Sequence, residues 1–260
     1  DSELRLLYSV RKDWPQLQGI INKGLAAIPL GERLEILRKW GASDASKAKA
    51  PSIMDALTEG EKAWLKENPV VSVGFQDDWP PYSFRDADNR AVGVSIDFFD
   101  RVAEMAGFKY RVYPEGSWSR IYQAGLNTEI NVLASMGITK QREQWFVLPR
   151  PYLALSHYIV TREGERNIHK RDDLKGKSVV LVKDYWISDD VVERYPSVTA
   201  SYVDASGDAL MAVAGGKADA TVLTMGTALH QISQEGYYNL KLAVLYEKGG
   251  DRVTFGVPRE

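Results

Sequence analysis

The 260-residue chain contains no cysteine, so a disulfide framework and a thiolate nucleophile or metal ligand are both excluded, and its compartment has to be read from other signals. Histidine is scarce as well. His157, His169 and His230 are the only three, and their spacing builds no metal site. His169 lies in the charged run 166–172, which reads as a solvated turn, while His230 falls on a helix face. No serine stands in a Gly-x-Ser-x-Gly elbow, and no general acid and base are seen to pair, so the chain is not expected to be an enzyme. Nothing approaches the roughly 20 apolar residues of a membrane-spanning helix. Asp1-Ser2-Glu3 does not open a signal peptide, so the expectation is a protein soluble as made or a piece of a longer one. No long basic run is present and the net charge is −2, which leaves nothing to draw the chain to nucleic acid or acidic membranes. No cofactor or metal is expected.

What is present is apolar content of 44%, enough for one or two cores, and two lobes of about 100–150 residues each are the natural division. Trp14, Leu17, Ile21, Leu25 and Ile28 recur at helical spacing, and Leu30, Leu34, Leu37 and Trp40 continue a second amphipathic run after Pro29. Residues 41–56, rich at first in Ala, Ser and Lys, read as a linker. Thr58 and Glu61 form a capping box that opens a helix, and Pro69 stops it.

From there strands and helices alternate. Val70–Phe75 reads as a buried strand, Ser95–Ala106 as a helix with Ile96, Phe99, Val102 and Ala103 inward and Gly107 at its end, and Lys109–Tyr113 as a strand. Further strands are expected at Ser178–Val182, Thr199–Val203, Ala220–Leu223 and Leu240–Leu245, with helices starting near Ser188, Asp208 and Gly226. This predicts an α/β fold with a first lobe at 57–157, a second at 158–250 and a return crossover toward the first at 251–260. The stretch Leu6–Asp13 also matches Val253–Glu260 in apolar pattern and charge, one domain length apart, which reads as a whole-domain repeat. Residues 1–40 are then the helical tail of a preceding copy, completing the first lobe either within the chain or by exchange between two chains as a dimer.

Several motifs occur in a telling order. The first is Val73-Gly74-Phe75-Gln76-Asp77-Asp78-Trp79-Pro80-Pro81-Tyr82-Ser83-Phe84, followed by Gly93-Val94-Ser95-Ile96-Asp97. Then come Gly137-Ile138-Thr139-Lys140-Gln141-Arg142, Pro151-Tyr152, Asp173-Leu174-Lys175-Gly176-Lys177 and Gly216-Lys217-Ala218-Asp219-Ala220. Together they resemble the type 2 periplasmic solute-binding fold over residues 70–260, in particular amino-acid-binding proteins and the tandem Venus flytrap sensor domains of membrane-bound hybrid histidine kinases. Ser9-Val10-Arg11-Lys12-Asp13-Trp14-Pro15 resembles the segment that leaves the second lobe of such sensors. The resemblance implies a two-lobed clamshell with a hinge and a central cleft for a small-molecule ligand. It also implies a periplasmic setting in an inner-membrane receptor, with a neighbouring flytrap repeat and a membrane-anchored signalling module as partners.

By the same resemblance Arg142 takes the place of the arginine that grips the ligand carboxylate, a task suited to a planar fork of donors. Gly137 replaces the motif's serine, so one hydroxyl contact is lost. Trp79 falls where the family packs an aromatic ring over its ligand, and Gln76 and Tyr82 stand with it at the end of the first strand, where open α/β sheets place ligands. Tyr82 leans toward a structural role. Trp118, Ser135 and Met136 are further first-lobe candidates, Trp118 being as readily a core residue as a contact. In the second lobe Tyr185 and Trp186 lie in a strand-to-helix turn that favours anions, with Ser188 read as the helix cap. The position that usually holds an aspartate for the ligand's amine is Thr224, and a neutral hydroxyl does not balance a buried ammonium. A carboxylate lacking the amine is therefore expected, unless Asp184 supplies the charge. Three roles stay open: a receptor's sensor domain, the solute-binding component of a transporter, or a module that has lost its ligand and serves as a structural or interaction spacer.

Overall fold

A computed structural model describes residues 15–29, 32, 36, 52–114 and 116–258. Two halves of one design share a single mixed sheet. In the first, β1 (Val70–Gly74) pairs in parallel with β5 (Lys109–Val112) and β6 (Val132–Gly137). In the second, β9 (Ser178–Val182) pairs in parallel with β10 (Thr199–Val203) and β11 (Ala220–Thr224). Each half adds one antiparallel strand: β12 (Leu240–Pro258) lies against β6, and β8 (Leu153–Arg162) against β11. β8 and β12 then pair with each other, which gives the order β10-β9-β11-β8-β12-β6-β1-β5, with β7 (Phe146–Val147) also on β12 and β2 (Asp78–Trp79), β3 (Ser83–Arg85) and β4 (Ala91–Val92) in a small separate sheet.

The halves even share a polar clip. Asn131 Oδ1 accepts from Ser72 N and Oγ, both at 2.9 Å, while Asp219 Oδ2 accepts from Ser178 N at 2.9 Å and Oγ at 2.8 Å. Each clip ties the loop before a parallel strand to the neighbouring strand and satisfies groups that the ladder leaves over. The buried runs from Val71 to Gly74 and from Val179 to Val182 suit strands covered on both faces.

The expected helix after Thr58 is α2 (Glu59–Glu67), with both hydrogen bonds of the capping box made. α3 (Val94–Ala106) buries Ile96, Phe99, Val102 and Ala103, together with Phe98 and Met105, and ends on Gly107 in the left-handed region at φ 71°. α1 (Pro15–Ala27) sinks Leu17, Ile20, Ile21 and Leu25 into the same core, and Ile28 follows. Its backbone passes so close to α2 that a side chain at Gly19 would meet Glu61 Oε1 at 1.8 Å. Glu61 is pinned there: Oε2 accepts from Thr58 N at 2.6 Å and from Lys23 Nζ at 2.5 Å. Burial raises its carboxyl pKa, but the Lys23 and Thr58 donors outweigh that and leave it lowered. Glu61→Ala removes the cap and the tie to α1, so a loss of about 1–3 kcal/mol is expected. Limited proteolysis should then cut sooner in the N-terminal segment. Of the expected second helix only Glu32 and Ile36 are described; the rest of it, residues 41–51 of the linker and the repeat match at 6–13 lie outside the described residues.

One strand departs from expectation. Read as Leu240–Leu245, β12 instead runs for 19 residues through Lys248-Gly249-Gly250-Asp251, a stretch with the composition of a turn. Register shifts between Leu242 and Val244, Leu245 and Glu247, and Glu247 and Asp251 absorb the irregularity, and pairing with β8 resumes at Asp251 on Leu155 after the break. Leu153, Leu155, Val253 and Phe255 belong to the first half's core, whereas Ile159 and Tyr246 belong to the second's. Both strands thus run from one core into the other, as hinge strands must.

Candidate functional site

Between the halves lies a cavity of about 30 Å³ lined by Gln76, Trp79, Trp118, Ser135, Gly137 and Arg142 from the first half, with His157 on β8 and Tyr185, Trp186, Ile187, Val222, Leu223 and Thr224 from the second. That volume suits a water molecule or two rather than an amino acid. Nine of the ten residues expected at the site line it.

Met136 is the exception. Along β6 neighbouring side chains alternate, so Ser135 and Gly137 face the cavity while Met136 is buried among Trp118, Ile121 and Phe146. Gly256 on β12 makes room for it: a side chain there would stand 2.1 Å from the Met136 methyl. Ser135 itself sits in the left-handed region at φ 68°, opposite a register shift in β12 between Thr254 and Gly256. Its hydroxyl donates to Ser95 Oγ at 2.6 Å, and Tyr152 Oη donates to the same oxygen at 2.6 Å.

Arg142 opens α5 (Arg142–Trp145), where its backbone N–H donates to Thr139 Oγ1 at 3.1 Å. Only 6% exposed, its guanidinium donates to the Gly137 carbonyl at 3.0 Å and across the cleft to the Asp184 carbonyl at 2.8 Å. The same group lies 5.1 Å from the ring centre of Trp118 and 5.4 Å from that of Tyr122, both within cation–π range. Trp118 belongs to α4 (Trp118–Leu126) and also donates its indole N–H to the Asp184 carbonyl, at 2.9 Å. Trp118 is thus a core residue that also forms part of the cavity wall. Asp184, considered above for its carboxylate, reaches the cleft through its backbone; it stands in the left-handed region at φ 58° and presents its carbonyl to two first-half donors.

Further contacts cross the cleft. Gln76 donates to Tyr185 Oη and, at 2.7 Å, to Asp78 Oδ1. Ser206 at the start of α7 (Ser206–Ala214) donates to the Asp78 carbonyl at 3.1 Å. Tyr82 packs on Trp79 with ring centres 4.6 Å apart and fills the space over Gly226, a structural role as expected. Ser188 does not cap its helix. α6 (Trp186–Arg194) begins two residues earlier with Tyr185 as its cap, and the buried Ser188 hydroxyl donates to the Val182 carbonyl at 2.7 Å. Thr224 caps α8 (Met225–Glu235), its oxygen accepting from Thr227 N. Its hydroxyl is therefore already engaged in the helix end.

His157 was missed, although β8 carried a signal. In Leu153-x-Leu155-x-His157-x-Ile159 it occupies an inward position of an apolar alternation. It is 2% exposed, pairs across the ladder with Thr224, and meets Trp186 edge-on at 5.4 Å. Burial drives its pKa down to about 3, so the ring is neutral. Asp78 is shifted the other way: burial pushes its carboxyl up to about 6, against the Gln76 hydrogen bond and with help from Asp77 and Asp208.

These two groups bend the pH profile in opposite senses. The folded Asp78 holds its proton above the ordinary aspartate value of 3.8, so it costs stability as pH rises toward 6. The folded His157 refuses a proton that the unfolded ring takes up below 6.5, so it costs stability as pH falls. His230, also lowered by burial, acts in the His157 direction. Each full proton is worth about 1.4 kcal/mol per pH unit. Asp78→Asn should therefore make stability rise more steeply between about pH 4.5 and 6, by roughly 1–2 kcal/mol, and His157→Gln should turn the profile toward a fall, as read by urea titrations across that window.

The profile of the bacterial extracellular solute-binding proteins, family 3, matches residues 71–247. Among curated proteins, the virulence sensor protein BvgS of Bordetella pertussis is 24% identical over 237 residues, covering 91% of this chain and 19% of that protein. The chain therefore spans about a fifth of that sensor's length. The L-cystine-binding protein TcyA of Bacillus subtilis is 23% identical over 240 residues, covering 90% of this chain and 85% of that one. Among solved structures, the BvgS periplasmic domain of B. pertussis superposes with a TM-score of 0.71 at 21% identity, over 90% of this chain and 45% of that one. A histidine kinase sensor domain similar to periplasmic binding proteins gives 0.65 at 22% identity, over 73% of this chain and 82% of that one. With a profile match over more than half its length and the clamshell architecture described above, the chain belongs to the bacterial extracellular solute-binding proteins, family 3.

Proposed function

We propose that the chain is the extracytoplasmic sensor domain of a membrane-anchored histidine kinase, set in the periplasm beside a second flytrap repeat, and that its cleft takes a small carboxylate solute. The observation that carries this reading is Arg142, a buried guanidinium within cation–π range of the Trp118 and Tyr122 rings and already bonded to a carbonyl oxygen across the cleft. A carboxylate offers the same donor two oxygens and a full charge, so it competes well with the Asp184 carbonyl once the lobes part. The solute-binding relatives support the cleft as the site. The sequence likeness to the virulence sensor protein BvgS over 91% of the chain supports a sensor, and TcyA over 90% keeps a transporter component as the alternative. Closure then biases the signalling module only through the solute's different affinities for the open and closed forms.

The cavity of about 30 Å³ favours a second reading, a clamshell that closes on its own Asp184 carbonyl and serves as a structural or interaction module. Melting temperature decides between them. The chain is unfolded and refolded to strip any solute, then heated with a panel of carboxylates, amino acids, polyamines and sugars. A carboxylate at 100 times its Kd should add about 2.7 kcal/mol to wild type and nothing to Arg142→Ala. A panel without effect on wild type favours the self-closing module.

A further inference from the structure

The hinge strand β8 puts an imidazole into the wall of the cleft. Leu155 belongs to the first core and Ile159 to the second, so His157 between them stands where β8 passes from one half to the other. A strand shared by both halves stays at the floor of the cleft as they part. A solute that enters therefore meets this ring whether the halves are open or shut.

The rest of the wall leaves His157 a particular task. Among the described residues lining the cleft, Arg142 is the single Lys or Arg, and none is Asp or Glu. Asp189 and Asp190, whose charges act on Arg142 and His157, stand on α6 outside the wall. Two hydroxyls give their protons to neighbours in their own half, Ser135 to Ser95 at 2.6 Å and Thr224 to Thr227 at 2.8 Å. Gln76 and Tyr185 bond to each other across the closed cleft. His157 itself is buried against Trp186, and that burial keeps the ring neutral although Asp190 pulls the other way. A neutral imidazole has one donor and one acceptor, which suit a hydroxyl, a carbonyl or an amide. It brings no charge to balance a second carboxylate, and an unpaired buried charge is costly. An ammonium fares no better, because no acid lines the wall.

We propose that His157 sets the specificity of the cleft, selecting a monocarboxylate that carries an uncharged hydrogen-bonding group over dicarboxylates and amino acids. Arg142 takes the carboxylate and His157 the second group, so this role rests on Arg142 being the carboxylate's partner.

The test is calorimetric titration of the refolded, solute-free chain at neutral pH and fixed ionic strength. The probes are ω-hydroxy acids of two to four carbons, beside the plain acid, the ω-amino acid and the dicarboxylate of each length. At least one hydroxy acid should bind about tenfold more tightly than its three counterparts. His157→Leu should bring that ratio below about threefold, whereas His157→Gln, which keeps a neutral donor and acceptor, should retain it. The ranking in wild type needs no variant, so it decides even if His157→Leu fails to fold. A counterpart that binds as tightly as the hydroxy acid at every length, or an unchanged ratio in a folded His157→Leu, overturns the role of His157 and leaves the carboxylate reading standing. If no probe binds wild type, the carboxylate reading falls with it.

Discussion

Replacing Arg142 with alanine should both destabilise the protein and let its halves part. The side chain makes two charge-assisted hydrogen bonds, to the Gly137 and Asp184 carbonyls, and sits over two aromatic rings. Hydrogen bonds to charged groups are worth about 1.5–3 kcal/mol each, and relief of a buried charge offsets part of that. A net loss of about 2–4 kcal/mol is expected. Only one of the two bonds crosses the cleft, so the loss divides between the first half's own packing and closure. Small-angle scattering should show a larger radius of gyration for the variant, and Trp118, released from Asp184, should report a more solvated indole in fluorescence. An unchanged radius with lowered stability would mean that Arg142 braces the first half and that Gln76–Tyr185 and Ser206–Asp78 suffice to keep the cleft shut.

Gly93→Ala should be the most damaging single methyl in the first half. Gly93 sits at φ 134°, where side chains are strained, and an added Cβ would stand 2.4 Å from the Tyr82 carbonyl oxygen and 2.8 Å from Ser83 N. Those atoms are backbone and cannot rotate away. They are also bonded to the helix that follows: Ser95 N donates to the Tyr82 carbonyl at 2.9 Å and Val94 N to that of Pro81 at 3.1 Å. Pushing the 81–83 segment aside breaks the start of α3 and shifts Ser95, the oxygen on which Ser135 and Tyr152 converge. Strain and overpacking together are expected to remove about 3–5 kcal/mol. Denaturant titration measures this directly; a loss below about 1 kcal/mol would mean that the segment yields easily. The glycine of Gly93-Val94-Ser95-Ile96-Asp97 is thus a requirement of close backbone approach, not of ligand contact.

The residues that line the cleft follow mainly from family-like motifs, and strand and helix geometry explains where the structure departs from them. Ser135 and Met136 are adjacent in sequence, but a strand sends neighbours to opposite faces, so only Ser135 reaches the cavity. Ser188 looked like a cap because serine favours that position, but an N–H can also be left to the tertiary structure, and the hydroxyl was used to close the turn after β9. A lone histidine signals little by composition; the place of His157 in an apolar alternation is the better clue.

What the sequence determined by itself is local and periodic. Apolar runs set β1 and β9, helical spacing set α1 and α3, Thr58 and Glu61 set the start of α2, and the order of motifs carried the two-lobed α/β class. What only the tertiary structure decided is whatever joins distant segments. β12 carries on past Lys248-Gly249-Gly250 because β8 pairs with it on either side, His157 with Glu247 and Leu155 with Asp251. Arg142 meets Asp184 because the hinge brings the halves together, and Asp78 keeps its proton to about pH 6 because burial and the second half's Asp208 surround it. Periodicity is written in neighbouring residues, but desolvation and charge depend on which far-off groups arrive, and no local pattern encodes that.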